Sequence, residues 1–224
     1  MQTSHWLTAV GFVALLSANA EAAPRAGAQS SALSHTEREA LLAGEVVARP
    51  MQFETDNGSY RGGVSYSMVN APAAGVLAAL SNVDTLPQAL PHTKSARLID
   101  VRGSLARVEL MHGDGTTYTV HIERAAARST RSAIPDGGEL RFWLDSSRPH
   151  DISDVFGYFR VEPFGVGKSL VTVAAALDLG PGITSLFFSD AVERSVLSTP
   201  GRIRVYVEPR ALALLEAPGW SVGF

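Results

Sequence analysis

The sequence predicts an α+β domain: a curved antiparallel sheet of about seven strands wrapped on one long C-terminal helix, with two short helices after the first strand. Three observations carry that expectation. Period-2 runs recur between Tyr60 and Asp178, separated by turn signals. One helical interruption falls between Pro72 and Pro91. Beyond Gly180-Pro181-Gly182 the period changes, and Phe188, Val192 and Val196 recur every four residues. A sheet with one apolar face needs a cover, and the last helix is the only element long enough to supply it.

The chain has 224 residues, 46% of them apolar and 18% charged. That is enough for a sizeable core and excludes a disordered polyelectrolyte. Nineteen basic residues against 22 acidic ones give a net charge of -3. A nucleic-acid partner is not expected, because that role needs a clustered basic excess. The chain has no cysteine. Disulfides, thiolate metal sites, a cysteine nucleophile and a lipoprotein anchor are therefore excluded together.

Trp6 to Leu16 is mostly apolar, but too short for a bilayer span of about 20 residues. Ala18-Asn19-Ala20 follows and fits the small-x-small cleavage rule, so residues 1–20 read as a signal peptide, although Met1 to His5 holds no lysine or arginine. Residues 21–34 have the Ala, Gly, Ser and Pro content of a flexible linker. The expected location is the periplasm or the medium, with no transmembrane segment after cleavage.

Ser34-His35-Thr36-Glu37 resembles a capping box, with Ser34 or Thr36 at the start of a helix that ends near Ala43, before Gly44. Glu45 to Thr55 is extended, so residues 35–58 make an N-terminal helix and extended segment. Asn57-Gly58 is a turn signal. Gly63-Val64-Ser65-Tyr66-Ser67-Met68 alternates small with large and reads as a strand with one buried face. Pro72 suits a first helical position, followed by the stripe Val76, Leu77 and Leu80. A second short helix fits Asn82 to Ala89. Strands follow at Lys94–Val101, Leu105–His112, Thr116–Arg124, Glu139–Asp145, Val155–Pro163 and Ser169–Asp178. Gly113-Asp114-Gly115, Pro135-Asp136-Gly137-Gly138 and Phe164-Gly165-Val166-Gly167 supply turns. The last helix continues through Ile203 to Val207, with Asp190 and Glu193 placed near its positive end. Pro200 is expected to kink or interrupt it. The main domain spans 59–210 and a tail spans 211–224.

This order resembles the helix-grip fold of the START-like (SRPBCC) superfamily, which includes polyketide cyclase and dehydrase-like proteins and lipid-transfer domains. The resemblance rests on Val64-Ser65-Tyr66-Ser67-Met68-Val69, on Asn70-Ala71-Pro72 with the helix to Leu80, and on Asn82-Val83-Asp84-Thr85-Leu86-Pro87 before Leu90-Pro91. The final helix with its Ser198-Thr199-Pro200 break adds to it, and the likeness covers residues 60 to 207. It implies a deep cavity between sheet and helix that takes a hydrophobic or amphipathic small molecule or lipid. Small inward candidates, Ala106, Ala174, Ala175 and Ala176, leave room for one.

Strand parity then nominates the ligand-binding residues. Tyr66 and Met68 come from the first strand. Val108, Leu110 and His112 share one face, and Tyr118 and Val120 face them from the next strand. Phe142, Leu144 and Phe159 add bulk, and Phe188, Val192 and Val196 come from the helix. His112 and Tyr118 flank one hairpin and are the candidates for acid–base work. The alternative for His112 is a strand-end histidine bonded to the turn. Arg107, Glu109, His121, Glu123, Arg141, Asp145 and Arg160 fall outside, as solvated cross-strand pairs. His150, Asp151 and Asp154 are metal-ligand types without remote histidines, and no metal or cofactor is expected. Gly165-Val166-Gly167-Lys168-Ser169 has Glu162 where a phosphate-binding loop needs glycine. A Gly-x-Ser-x-Gly elbow is absent. The expected function is binding, and by extension carriage, of a hydrophobic molecule. The rivals are a cyclase or dehydratase-type enzyme on a polyketide-like or aromatic substrate, and an interaction module using the outer sheet face around Trp143.

Overall fold

Alternating side chains between Val47 and Asp178 build one antiparallel sheet of eight strands in a computed structural model. It describes residues 33–56, 58–126, 137–180, 185–210 and 213, with only the backbone for 126, 185–190 and 192. The expected signal peptide, nearly all of the linker and nearly all of the tail lie outside those residues, as do the side chains of Phe188 and Val192.

Helix α1 (His35–Leu42) comes first, then β1 (Val47–Thr55) and β2 (Gly58–Val69). Helix α2 (Ala73–Ser81), a 3-10 turn (Val83–Thr85) and α3 (Leu86–Ala89) follow. Strands β3 (Thr93–Arg102), β4 (Leu105–His112), β5 (Thr117–Ala126), β6 (Gly138–Leu144), β7 (Asp154–Pro163) and β8 (Ser169–Asp178) lead to α4 (Ser185–Val207). The spatial order is β1-β2-β8-β7-β6-β5-β4-β3. The eighth strand is β1, which the sequence left as an extended segment. It pairs with β2 continuously from Val47 opposite Tyr66 to Thr55 opposite Gly58. Two register shifts interrupt the β3–β4 ladder, at Thr93/Ser95 and Leu98/Asp100.

The capping box of α1 forms as expected. Ser34 Oγ accepts from Glu37 N at 3.2 Å, and Glu37 Oε2 accepts from Ser34 N at 2.7 Å. Arg49 of β1 then donates to the Glu37 carboxylate at 2.6 Å and ties helix to strand. Pro72 differs from expectation: its extended ψ of 144° makes it the N-cap of α2, one place before the helix. Helix α4 also differs, because it runs unbroken through Pro200. The ring removes one backbone donor, but it is fully buried, and Thr199 Oγ1 donates to the Ser195 carbonyl at 3.1 Å beside it. Because α4 starts at Ser185, its first turn holds no acid, and Asp190 and Glu193 lie too far along to meet the helix dipole. Among the described residues no helix is long and apolar enough to cross a membrane.

Both faces of β2 are covered. Its large outward residues, Tyr66 and Met68, pack with Leu41 of α1 and Val47. Its inward residues are Gly63, Ser65 and Ser67, and α4 lies chiefly along this strand. Gly63 shows how close the approach is. It holds φ +150°, and a Cβ there would collide with the Arg49 carbonyl oxygen and lie 3.0 Å from Leu197 of α4. Farther along α4, Ile203 and Val207 pack with Val69, Val171, Val173, Val76 and Leu77. A second apolar cluster spans Val108, Tyr118, Val120, Leu144 and Val155, closed by Val83 and Leu86.

Candidate functional site

With α4 held down on β2, the rest of the curved sheet is not filled by the helix. A cavity of about 450 Å³ lies between them. Leu110, Val120, Ile122, Leu140 and Phe142 wall it from β4, β5 and β6. Phe159, Val173, Ala175 and Leu177 continue the wall through β7 and β8. Leu80, Leu86 and Leu90 close one side from the helical connection, and Ile152 enters from the β6–β7 loop. Ala191, Ser195, Val196 and Thr199 are the contribution of α4.

Most of the inward residues expected from strand parity are there: Leu110, His112, Tyr118, Val120, Phe142, Phe159 and Val196 all line the cavity. Tyr66 and Met68 do not. They sit on the opposite face of β2 under α1, because the small residues of that strand, rather than the large ones, face inward. Val108 and Leu144 are buried in the wall without lining this space. Ala106 and Val108 border a separate hollow of only about 20 Å³. Of the three consecutive alanines only Ala175 lines the cavity, since Ala174 and Ala176 point to the other face. Leu80, Leu86, Leu90, His92 and Ile152 were not anticipated. The leucines carry an ordinary core signal, and Ile152 stands in a loop with no periodicity to place it.

The polar groups converge where the β4–β5 hairpin meets the α3–β3 connection. His112 Nε2 lies 2.9 Å from the Tyr118 hydroxyl, with the two rings stacked at 5.4 Å. Burial pushes the Tyr118 phenol well above its usual range, and the nearby Asp114 charge adds to the effect. Burial pulls His112 below its usual range, against the attraction of Asp114, so the imidazole is neutral at neutral pH. Asp114 is held low by the backbone N–H of Thr116, which donates at 2.9 Å. His92 adopts φ +56°, unusual without glycine, and its carbonyl accepts from Gly113 N at 2.9 Å. That bond pins the hairpin against the start of β3.

On the outer face, Glu109 is solvated as expected and pairs with Arg97 at 2.9 Å. Arg107 likewise pairs across strands with Asp100, whereas Asp145 breaks the expectation. Asp145 is only 3% exposed, because the loop after β6 folds back over it. Its Oδ1 accepts from the Ser147 hydroxyl at 2.5 Å, and Arg107 and His121 each approach within 3.6 Å. Burial works against its charge, but the Ser147 bonds and these two neighbours outweigh it and hold the carboxyl below its usual range. Trp143 is half-buried against His121, with ring centroids 5.4 Å apart. Glu139 is nearly buried between Arg141 and Arg160, each at 2.7 Å.

The metal-type residues are engaged separately. His150 Nδ1 meets the Ile152 carbonyl at 2.7 Å, Asp151 accepts from Thr117 N at 2.7 Å, and Asp154 accepts from the Tyr60 hydroxyl at 2.7 Å. Among the described residues no group of three His, Asp or Glu side chains is arranged to hold a metal ion. Lys168 stands in a hairpin with strand β8 directly after it, so no helix N-terminus is available for a phosphate.

No protein-family model matches the chain, and no curated protein matches it in sequence. Solved structures do match. A STAR-related lipid transfer protein from Xanthomonas axonopodis superposes with a TM-score of 0.56 at 13% identity, over 71% of this chain and 98% of its own. The fold is START-like. The Zhui aromatase/cyclase from Streptomyces matches with a TM-score of 0.54 at 14% identity, over 71% and 98%. The human StarD13 lipid transfer and protein localization domain matches at 0.52 and 14%, over 80% and 100%. The START-like helix-grip architecture thus accounts for the sheet, the two short helices and α4.

Proposed function

We propose that this START-like chain is exported and binds a hydrophobic small molecule non-covalently in the cavity, as a carrier. One observation supports the reading above others: an apolar space of about 450 Å³ with its titratable groups gathered at one end. Burying roughly 300 Å² of apolar ligand surface there contributes about 7 kcal/mol before the costs of association. The lipid-transfer neighbours share this fold and support the same kind of ligand. The test is native mass spectrometry of protein purified from its own host, followed by solvent extraction. A co-purifying lipid-like molecule is expected. An empty protein whose melting temperature no hydrophobic compound raises would overturn the reading. Export is tested by N-terminal sequencing of the mature protein, with cleavage near Ala20 expected. An uncut chain in the cytoplasm would refute it.

The hydrogen bond of 2.9 Å between His112 and Tyr118 at the cavity favours a second reading. A neutral imidazole beside a phenol has the parts for proton abstraction and carbonyl activation in a cyclase or dehydratase. An aromatase/cyclase among the matched structures supports it. On this reading His112→Ala abolishes turnover of a polyketide-like substrate while the fold persists. Unchanged turnover would remove His112 from the chemistry.

A further inference from the structure

The inference concerns the class of ligand, and it rests on the binding reading above. We propose that the cavity selects uncharged molecules that carry a hydrogen-bond acceptor, such as a ketone, ester or lactone carbonyl, on a body of roughly 15 non-hydrogen atoms, and that it discriminates against carboxylates.

Size sets the first limit. At about 30 Å³ per water-sized group, a space of about 450 Å³ holds a single chain or a few fused rings. A two-chain phospholipid does not fit inside it.

Charge sets the second. The described lining contains no lysine or arginine. Its ionisable side chains are His92, His112, Asp114 and Tyr118. Asp114 is a carboxylate at neutral pH, Tyr118 is a neutral phenol, and His112 is a neutral imidazole. A carboxylate brought into this space would meet the Asp114 charge and no lysine or arginine, and an unpaired buried charge is costly.

Hydrogen bonding sets the third. Tyr118 is buried, and a buried phenol O–H needs an acceptor. Among the described residues that acceptor is His112 Nε2. With Nε2 accepting from Tyr118, the imidazole proton is assigned to Nδ1. Nδ1 has no acceptor among the described residues, and His112 lines the cavity. Its N–H is left for a ligand oxygen. Thr93 and Thr199 have already donated their hydroxyl protons to the Pro91 and Ser195 carbonyls. The Thr116 and Ser195 hydroxyls both donate and accept, so they do not discriminate. Tyr118 thus acts as a positioning residue that fixes the tautomer of its neighbour.

The test is displacement of Nile red from the purified full chain at pH 8 by three matched compounds: pentadecane, 2-pentadecanone and pentadecanoate. The ketone is expected to displace at a concentration about fivefold to tenfold below the alkane, the value of one hydrogen bond. The carboxylate is expected to be at least about tenfold weaker than the ketone. In His112→Phe the ketone-to-alkane ratio falls by at least about threefold, leaving only what the Thr116 and Ser195 hydroxyls supply. Tyr118→Phe, which frees the tautomer, lowers the same ratio and serves if His112→Phe does not fold. Carboxylate binding as tight as the ketone, or a ketone advantage undiminished by either substitution, would overturn the proposal. If the wild type takes up neither Nile red nor any of the three, the binding reading itself falls, and this inference with it.

Discussion

The inner surface of the sheet treats α4 in two ways. Along β2 the helix sits close, over Gly63, Ser65 and Ser67. Across β4 to β7 it stands off, over Leu110, Val120, Phe142 and Phe159, and leaves the cavity. Small side chains draw the helix in; bulky ones do not close the space. Cavities are commonly read from small residues, but here those residues mark the contact and the large ones mark the void. A rigid helix cannot follow a curved surface, so contact at one side sets the gap at the other.

That contrast can be broken most forcefully at Gly63. Gly63→Val puts a side chain against the Arg49 carbonyl and Leu197, and is expected to cost about 3 kcal/mol or more in urea denaturation. A loss under about 1 kcal/mol would mean that the helix is not pressed there. Neighbouring alanines of β8 sharpen the contrast. Ala175→Leu grows into the cavity and is expected to change stability by about 1 kcal/mol or less while excluding Nile red. The same change at Ala176, which is 4% exposed on the other face, is expected to cost about 1–3 kcal/mol. Equal costs at the two positions would argue against an empty interior.

A smaller effect is confined by pH. Burial lowers the folded-state His112 value, so the unfolded chain binds more protons just below its own value of about 6.5. Stability is therefore full above pH ~6.5 and declines as pH falls through that window. His112→Gln should flatten this slope in melting curves taken from about pH 5 to 8, and an unchanged slope would place its origin elsewhere. Smallest is Arg97→Ala on the solvated outer face, expected to shift stability by about 0.5 kcal/mol or less.

Much of this was legible in the residues. Strands β4 and β8 run as alternation placed them, and Gly113-Asp114-Gly115 brings His112 and Tyr118 together. Three things were not. Alternation in β2 shows that its faces differ, but not which one meets the helix, since α1 and α4 bury both. Hence alternation alone points Tyr66 and Met68 to the cavity, whereas they pack under α1. Strand β1 was hidden because Arg49, Pro50, Gln52 and Glu54 dilute its apolar pattern, and only its ladder with β2 reveals it. Asp145 looked solvated because parity does not register a loop folding back over a strand end.

Among the described residues the sheet does not close into a barrel, so β1 and β3 are its rims. Each rim is blunted. Pro50 offers no N–H in the middle of β1. The register shifts at Thr93/Ser95 and Leu98/Asp100 interrupt the regular line of β3, which also carries Lys94, Arg97 and Arg102. A stray strand meets a gap on one side and an interrupted, charged border on the other. The open bowl is thereby kept from templating its own aggregation.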